Sequence, residues 1–375
     1  MERLDVVGYS KFYDGPPAPP LRRLQRGLKG LLNNRVTLVQ EDNIRQISVR
    51  KLRLPGFLDA LVQDVWVWLT LRAHLAAFYR LGIVYAPESA LLARYLQRSG
   101  RIEHLIYHDI DYYPYVSNRH KRIVAWRERT VVRAADAVIS VSRPLVGLRR
   151  EQGAKTVVYL PNGVDFTHFH TAHNQRRTAT PTLLYVGTLD RRWGVDLPIL
   201  AMPLVLERLP EARLLIAGSG PAESELRALA AKQNVDHAVS FLGFVPYPEL
   251  PDVMSRAEIG LATSRADIFR QYASPLKLVE YMAAGLPVIC SGGGEAEMMI
   301  DESQAGITIP FAPEDFAEAT CQLLTDRAKL AARRQAAIEY ARSRSWEKLL
   351  QDFNAFAAQT WSPAGVESPA LLTQS

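Results

Sequence analysis

Short apolar runs alternate with amphipathic stretches along most of this chain. In the first half, Leu4–Tyr9, Arg35–Gln40, Ile83–Ala86, His104–Tyr107, Ala137–Val141 and Thr156–Leu160 are brief apolar runs that predict strands. Between them, Phe57–Arg80, Glu88–Arg98, His120–Ala134 and Arg143–Glu151 repeat apolar residues at helical spacing. A polar, aperiodic stretch from Thr171 to Thr178 predicts a linker. The alternation then restarts with strands at Thr182–Val186, Ala212–Ala217, Ala238–Phe241, Ile259–Ala262, Pro287–Cys290 and Gly306–Ile309. Helices are predicted at Val195–Arg208, Ala222–Lys232, Pro248–Arg256, Leu276–Ala284, Pro313–Thr325, Arg327–Arg342 and Trp346–Gln359, and Ser362–Ser375 reads as a disordered tail.

Strand–helix–strand units of this length make parallel sheets covered on both faces. The pattern therefore predicts an α/β chain of two doubly wound domains, residues 1–168 and 180–342. A last helix follows over 343–361. Open α/β sheets bind ligands at the carboxyl ends of their strands, so a site in a cleft between two lobes is expected.

Composition narrows the class. With 375 residues, 48% apolar and 22% charged, the chain is a globular protein too long for one core. Cys290 and Cys321 cannot build a disulfide framework or a thiolate zinc site, which fits a reducing, cytosolic compartment. No histidine pair has metal-ligand spacing, and no metal is expected. The net charge of +6 is uneven: residues 1–170 carry 26 Lys and Arg against 15 Asp and Glu, whereas residues 171–375 carry 19 against 24. A basic half implies a polyanionic partner, such as an anionic membrane surface or an anionic substrate. The basic residues are scattered without a nucleic-acid module, and nucleic acid is not expected.

The start lacks the apolar core of a secretion signal. The apolar stretch Phe57–Leu81 is broken by Asp59, Gln63, Asp64, Arg72 and His74, which argues against a membrane span. Leu21–Leu32 places five leucines on one helical face beside Arg22, Arg23, Arg26 and Lys29. It reads equally as a basic interfacial helix and as a core-facing one. Trp66, Trp68, Phe78 and Tyr79 read mostly as core at helical spacing.

Four segments carry candidate chemistry. After the strand ending at Val186, Gly187 opens a turn followed by Arg191 and Arg192, which can hold an anion. Gly218-Ser219-Gly220 follows another strand, but Glu223 stands where a dinucleotide fingerprint needs its third glycine. A dehydrogenase is therefore disfavoured. In the third, Tyr272-Ala273-Ser274-Pro275-Leu276-Lys277-Leu278-Val279-Glu280, a proline at the first turn starts a helix. Amides near Leu276 and the Lys277 ammonium then suit a diphosphate, and Glu280, one turn on, suits the two hydroxyls of a ribose. The fourth, His108-Asp109-Ile110-Asp111, ends a strand of the first domain. Lys11–Pro17, with Asp14-Gly15, reads as a turn near the same edge.

Ser274–Val288 resembles the donor-binding signature of glycosyltransferases with the GT-B fold, of the family 4 type. Leu160-Pro161-Asn162-Gly163-Val164-Asp165 is similar to that family's hinge. Tyr185–Leu189 resembles the first strand of its nucleotide-binding domain, and Gly293-Gly294-Glu295-Ala296-Glu297 its closing segment. The resemblance implies a GT-B architecture of two Rossmann-like domains facing a cleft, with the helix over 343–361 crossing back to the first domain, and an enzyme that moves a sugar from a nucleotide diphosphate sugar to a hydroxyl without metal or cofactor. It puts the diphosphate at Ser274, Leu276 and Lys277, the ribose on Glu280, and the base at the loop containing Val245, with Gly187 and Gly218 close by. It also implies a glycan or lipid-linked acceptor, and a setting in cell-surface polysaccharide assembly at the cytosolic membrane face.

Thr188 and Trp193 replace the family's loop Arg and Lys, so Arg191, Arg192 or Arg270 is expected to supply charge. Tyr272 replaces a glutamate eight residues before Glu280. Two alignments compete for the catalytic position. His108 resembles the histidine of retaining members, and Asp111 resembles the base of inverting, membrane-associated members; of the two, Asp111 is preferred. A non-hydrolysing sugar-nucleotide epimerase and a catalytically silent GT-B subunit are the rival readings.

Overall fold

The computed structural model describes residues 4–10, 36–50, 57–116, 121–175 and 180–361. The basic segment Leu21–Leu32, the turn Lys11–Pro17 and the tail Ser362–Ser375 lie outside the described residues. The chain sorts into two compact, interleaved units, one of Met1–Asp109, Tyr113–Ile139 and Arg149–Val157, the other of Ile110–Tyr112, Ser140–Leu148 and Val158–Ser375.

In the first unit, β1 (Leu4–Ser10), β2 (Val36–Glu41) and β3 (Ile44–Arg50) form a three-stranded sheet in the order β1-β3-β2. β4 (Tyr79–Val84), β5 (Ile102–Asp109), β6 (Ala137–Ser140) and β7 (Val157–Tyr159) form a sheet in chain order. The strands of this unit are thus divided between two sheets. β3 was not anticipated, and it runs parallel to β1 but antiparallel to β2 across the Asp42-Asn43 turn. Its alternation is real, since Ile47 and Val49 are fully buried.

The helix expected to reach Arg80 stops instead at Leu71. Tertiary bonds override its periodicity. The Tyr79 hydroxyl accepts from the Ala76 amide at 2.8 Å and donates to Asp5, while Arg45 donates to both Asp5 oxygens at 2.9 and 2.7 Å. Trp66, Trp68 and Tyr79 pack against the core, whereas Phe78 is exposed. Beneath the helix Lys121–Ala134, Arg149 is fully buried and donates to both Asp109 oxygens and to Glu128, each at 2.7 Å.

The second unit holds β8 (Thr182–Val186), β9 (Arg213–Ala217), β10 (Val239–Gly243), β11 (Ile259–Ala262), β12 (Val288–Cys290) and β13 (Gly306–Thr308). Their order is β10-β9-β8-β11-β12-β13, and every adjacent pair is parallel. Strand residues alternate between two cores: Leu183, Tyr185, Leu214 and Ile216 enter one, and Leu184, Leu215, Ala217 and Val288 the other. Both faces are thus covered, as a parallel sheet requires. The order reverses between β8 and β11, and the crevice at such a reversal is where open sheets bind ligands.

The polar stretch expected to be a linker is partly helical. Phe166–Asn174 forms a helix, because Asp165 caps it by accepting from the His168 amide at 2.9 Å and Phe169 and Ala172 are buried. Helices at Ile268–Tyr272 and Glu295–Ser303 were also not anticipated.

Candidate functional site

The carboxyl ends of β8, β9 and β10 are stitched together. The Gly187 amide donates to Ala217 O at 2.9 Å, Gly218 to Gly243 O at 2.7 Å, and Leu189 to Ser219 O at 3.0 Å. Gly187 has φ +144° and Gly218 φ +149°. A Cβ on Gly218 would lie 1.9 Å from the Gly187 carbonyl oxygen, so only glycine permits this approach.

Across the switch point, the helix Leu276–Ala283 begins after Pro275 with no side-chain cap. Two bonds set its position. Asn162 Nδ2 donates to Ser274 O at 3.0 Å, and the Val186 amide donates to the Tyr281 hydroxyl at 2.6 Å. The turn supplying Asn162 is itself pinned, since a Cβ on Gly163 would meet the Trp346 ring at 2.5 Å. The closing segment is fastened through Glu295, which is fully buried and accepts from the Arg143 amide at 2.7 Å and the Tyr159 hydroxyl at 2.6 Å.

Lys277 leaves the first turn of this helix and places Nζ 4.2 Å from the Tyr185 ring centroid and 5.6 Å from that of Trp193. The Arg270 guanidinium, largely buried, lies 3.3 Å from the Trp193 centroid. Both cations line one recess of about 380 Å³, together with Trp193, Thr263, Ser264 and Pro275. No carboxylate forms an ion pair with Lys277 among the described residues. Burial, and secondarily the like charge of Arg270, push the Lys277 ammonium down to about 7, with Glu280 opposing. Two cations held against each other in a partly dry recess favour an anion there.

Glu280 is half-buried, one helical turn on. Burial raises its carboxyl above the usual range, while Lys277 and His168 pull it down. The His168 ring stacks on Tyr247 with centroids 5.0 Å apart and bonds Tyr247 O through Nε2 at 3.2 Å. In the loop beyond β10, Phe244 is 75% exposed and Val245 packs on the core.

The structure thus brings Gly187, Lys277 and Glu280 together, with Ser274 and an exposed Leu276 at the helix entrance and Gly218 behind Gly187. Arg191 and Arg192 are directed elsewhere: Arg191 pairs with Glu225 at 2.8 Å and Arg192 with Asp190 at 3.0 Å, all well exposed except Asp190. Thr263, Ser264 and His168 went unnoticed in the sequence. The first two could have been found from the strand order, because they follow β11 at the reversal. His108, in the first unit, is half-buried against Tyr85, with ring centroids 5.2 Å apart. Burial lowers its imidazole below the usual value, and Asp109 partly offsets this. Asp111 belongs to the second unit, where its neighbour Tyr112 lies 4.8 Å from Tyr272, centroid to centroid.

Comparison with known proteins agrees with this geometry. The crystal structure of Anabaena HepE in complex with UDP is similar with a TM-score of 0.68 at 16% identity, covering 94% of this chain and 100% of that one. The chain has the GT-B fold. Residues 180–326 of this GT-B chain match the family model of group 1 glycosyl transferases, as the resemblance to family 4 implied. A glycogen synthase of Mycobacterium tuberculosis is 31% identical over 230 residues, 60% of this chain and 54% of that protein. A GDP-mannose-dependent alpha-(1-6)-phosphatidylinositol monomannoside mannosyltransferase of the same organism is 30% identical over 215 residues, 53% of this chain and 56% of that protein. The GT-B chain spans about half the length of the curated relatives it matches.

The low ammonium value at Lys277 has a measurable consequence. An anion binding beside it restores the protonated form, so binding takes up a proton wherever free Lys277 is neutral. Calorimetry of a nucleoside diphosphate at pH 8, in buffers of different ionisation enthalpy, is expected to show uptake of about 0.9 proton. At pH 6 the uptake vanishes, because Lys277 is already charged. Equal uptake at both pH values would rule out Lys277 as the group.

Proposed function

We propose that this chain is a glycosyltransferase. It moves a sugar from a UDP- or GDP-linked donor to a hydroxyl of a glycan or lipid-linked acceptor. The observation that carries this reading is the Lys277–Arg270 cation pair beside an uncapped helix start at the switch point of the sheet. In this reading the helix amides and both cations hold the diphosphate and stabilise the charge that develops on it as it leaves. Glu280 accepts from the ribose hydroxyls, and the Val245 loop with Tyr247 borders the base. The names of the relatives support the reading, since glycogen synthase and the GDP-mannose-dependent enzyme act on sugar donors, and HepE was solved with UDP. The phosphatidylinositol mannoside in one name supports a lipid-linked acceptor and a cell-envelope setting.

The bond from the anomeric carbon to the diphosphate oxygen breaks and a bond from that carbon to the acceptor oxygen forms. The acceptor proton goes to Asp111, and the nucleoside diphosphate departs. Asp111 is preferred to Asp109, which is buried and held by Arg149. The Tyr112–Tyr272 contact ties the Asp111 segment to the donor loop. Asp111→Asn is expected to lower kcat about 100-fold with donor affinity unchanged.

The test of the whole reading is titration with UDP, GDP and their hexose conjugates, followed by turnover with glycan acceptors. One nucleotide is expected to bind and its conjugate to be consumed only with acceptor. Consumption without acceptor favours epimerisation or hydrolysis, and no binding of either nucleotide would overturn the assignment.

A further inference from the structure

A second feature lies wholly in the first unit, apart from the donor site. The helices Ala90–Arg98 and Lys121–Ala134 pack side by side and border an open groove of about 1000 Å³. Arg94, Arg98, Arg129, Arg133 and Lys155 line it, with Trp126 among them. No lining residue is a carboxylate. The nearest compensation is Asp136, which takes Lys155 at 3.0 Å and Gln97 at 3.1 Å.

The helix Lys121–Ala134 is built asymmetrically. Its one carboxylate, Glu128, turns inward and is fully buried on Arg149, so it neutralises nothing outside. Arg127 is also turned in, donating to Asp64. The outward stripe is therefore cationic, broken by Trp126, which is 50% exposed. Arg94 and Arg98, like Arg129 and Arg133, are one helical turn apart, about 6 Å along the axis. Four cations on two adjoining helices, with Lys155 before β7, do not converge on one anion; they match a layer of anions.

We propose that this groove is where the protein docks onto an anionic membrane surface, with the five cations over lipid phosphates and Trp126 at the headgroup level. An indole is suited to that depth, because its ring is apolar and its N–H is polar. Basic residues near an anionic leaflet add attraction residue by residue. None of the helices among the described residues is long and apolar enough to cross a membrane. Such docking would hold the acceptor-side unit where lipid-linked glycans reside. It does not depend on the donor assignment.

The experiment is co-sedimentation of the full chain with phosphatidylcholine vesicles, with and without phosphatidylglycerol. Binding is expected only with phosphatidylglycerol and should weaken as salt rises. The pair Arg129→Ala and Arg133→Ala should reduce it about 30-fold. The pair Arg94→Ala and Arg98→Ala, on the other helix, should act alike, and Trp126→Ala should weaken what remains. Thermal melting and nucleotide affinity should stay at parental values in each variant. Equal binding to neutral vesicles, undiminished binding by both arginine pairs, or duplex DNA displacing the vesicles at the same salt would overturn the proposal.

Discussion

Lys277→Ala is expected to lower kcat/KM about a thousandfold, on the order of 4 kcal/mol of transition-state stabilisation, without lowering the melting temperature. The two halves of this result come from one environment. In the free protein Lys277 is poorly solvated and faces the like charge of Arg270, so its native ammonium value falls from 10.5 to about 7. The unfolded chain then binds more protons than the native one between those values. Stability from this group therefore rises with pH from about 7 to 10.5, and its cost is fully present below pH 7. Alanine removes that cost, and the dependence on pH between 7 and 10.5 should flatten. In the proposed reading, the same charge meets a diphosphate once donor is bound. Kinetics with saturating acceptor, beside thermal melts across pH, check both halves; a variant that loses stability and keeps turnover would mean that Lys277 is merely a packing residue.

Arg149→Met is expected to cost the first unit about 3–5 kcal/mol, because it leaves Asp109 and Glu128 buried without a cation. The melting transition should fall by on the order of 10 °C. Burial already raises the Glu128 carboxyl, with Arg149 opposing it. Once Arg149 is gone, its opposition to burial at Glu128 is lost, so the native state binds more protons than the unfolded one. The deficit should shrink as pH falls from 7 towards 5. Circular dichroism melts at the two pH values measure this. A deficit independent of pH would point to lost packing instead.

The second unit was the more legible half. Its central strands are buried on both faces and so appear as apolar runs, and Thr182–Val186 and Ile259–Ala262 fall where the pattern put them. The helix start at Leu276 was legible from Ser-Pro and the following Lys and Glu. Other features depended on contacts that no local pattern encodes. The helix at Phe57 gave way to a strand because Tyr79 bonds Asp5, 74 residues away in sequence. Arg191 and Arg192 looked suited to the anion by spacing, yet Glu225 and Asp190 hold them, and Arg270 reaches the recess by lying over Trp193. Trp193, where the resemblance expects a lysine, thus acts as the platform for a cation contributed from elsewhere. Of the neighbouring carboxylates Asp109 and Asp111, nothing in their spacing says that the first is committed to Arg149.

The Gly187–Gly218 approach has a bearing on how such a site can diversify. With the β8 and β9 ends pressed together and no room for a single added carbon, that wall cannot be remodelled without moving the sheet. Change is left to the facing wall, where Trp193, Thr263, Ser264 and Arg270 present side chains. Descendants of this scaffold that adopt a different sugar should therefore differ first at Thr263 and Ser264, while Arg270 on Trp193 and the paired glycines stay as they are.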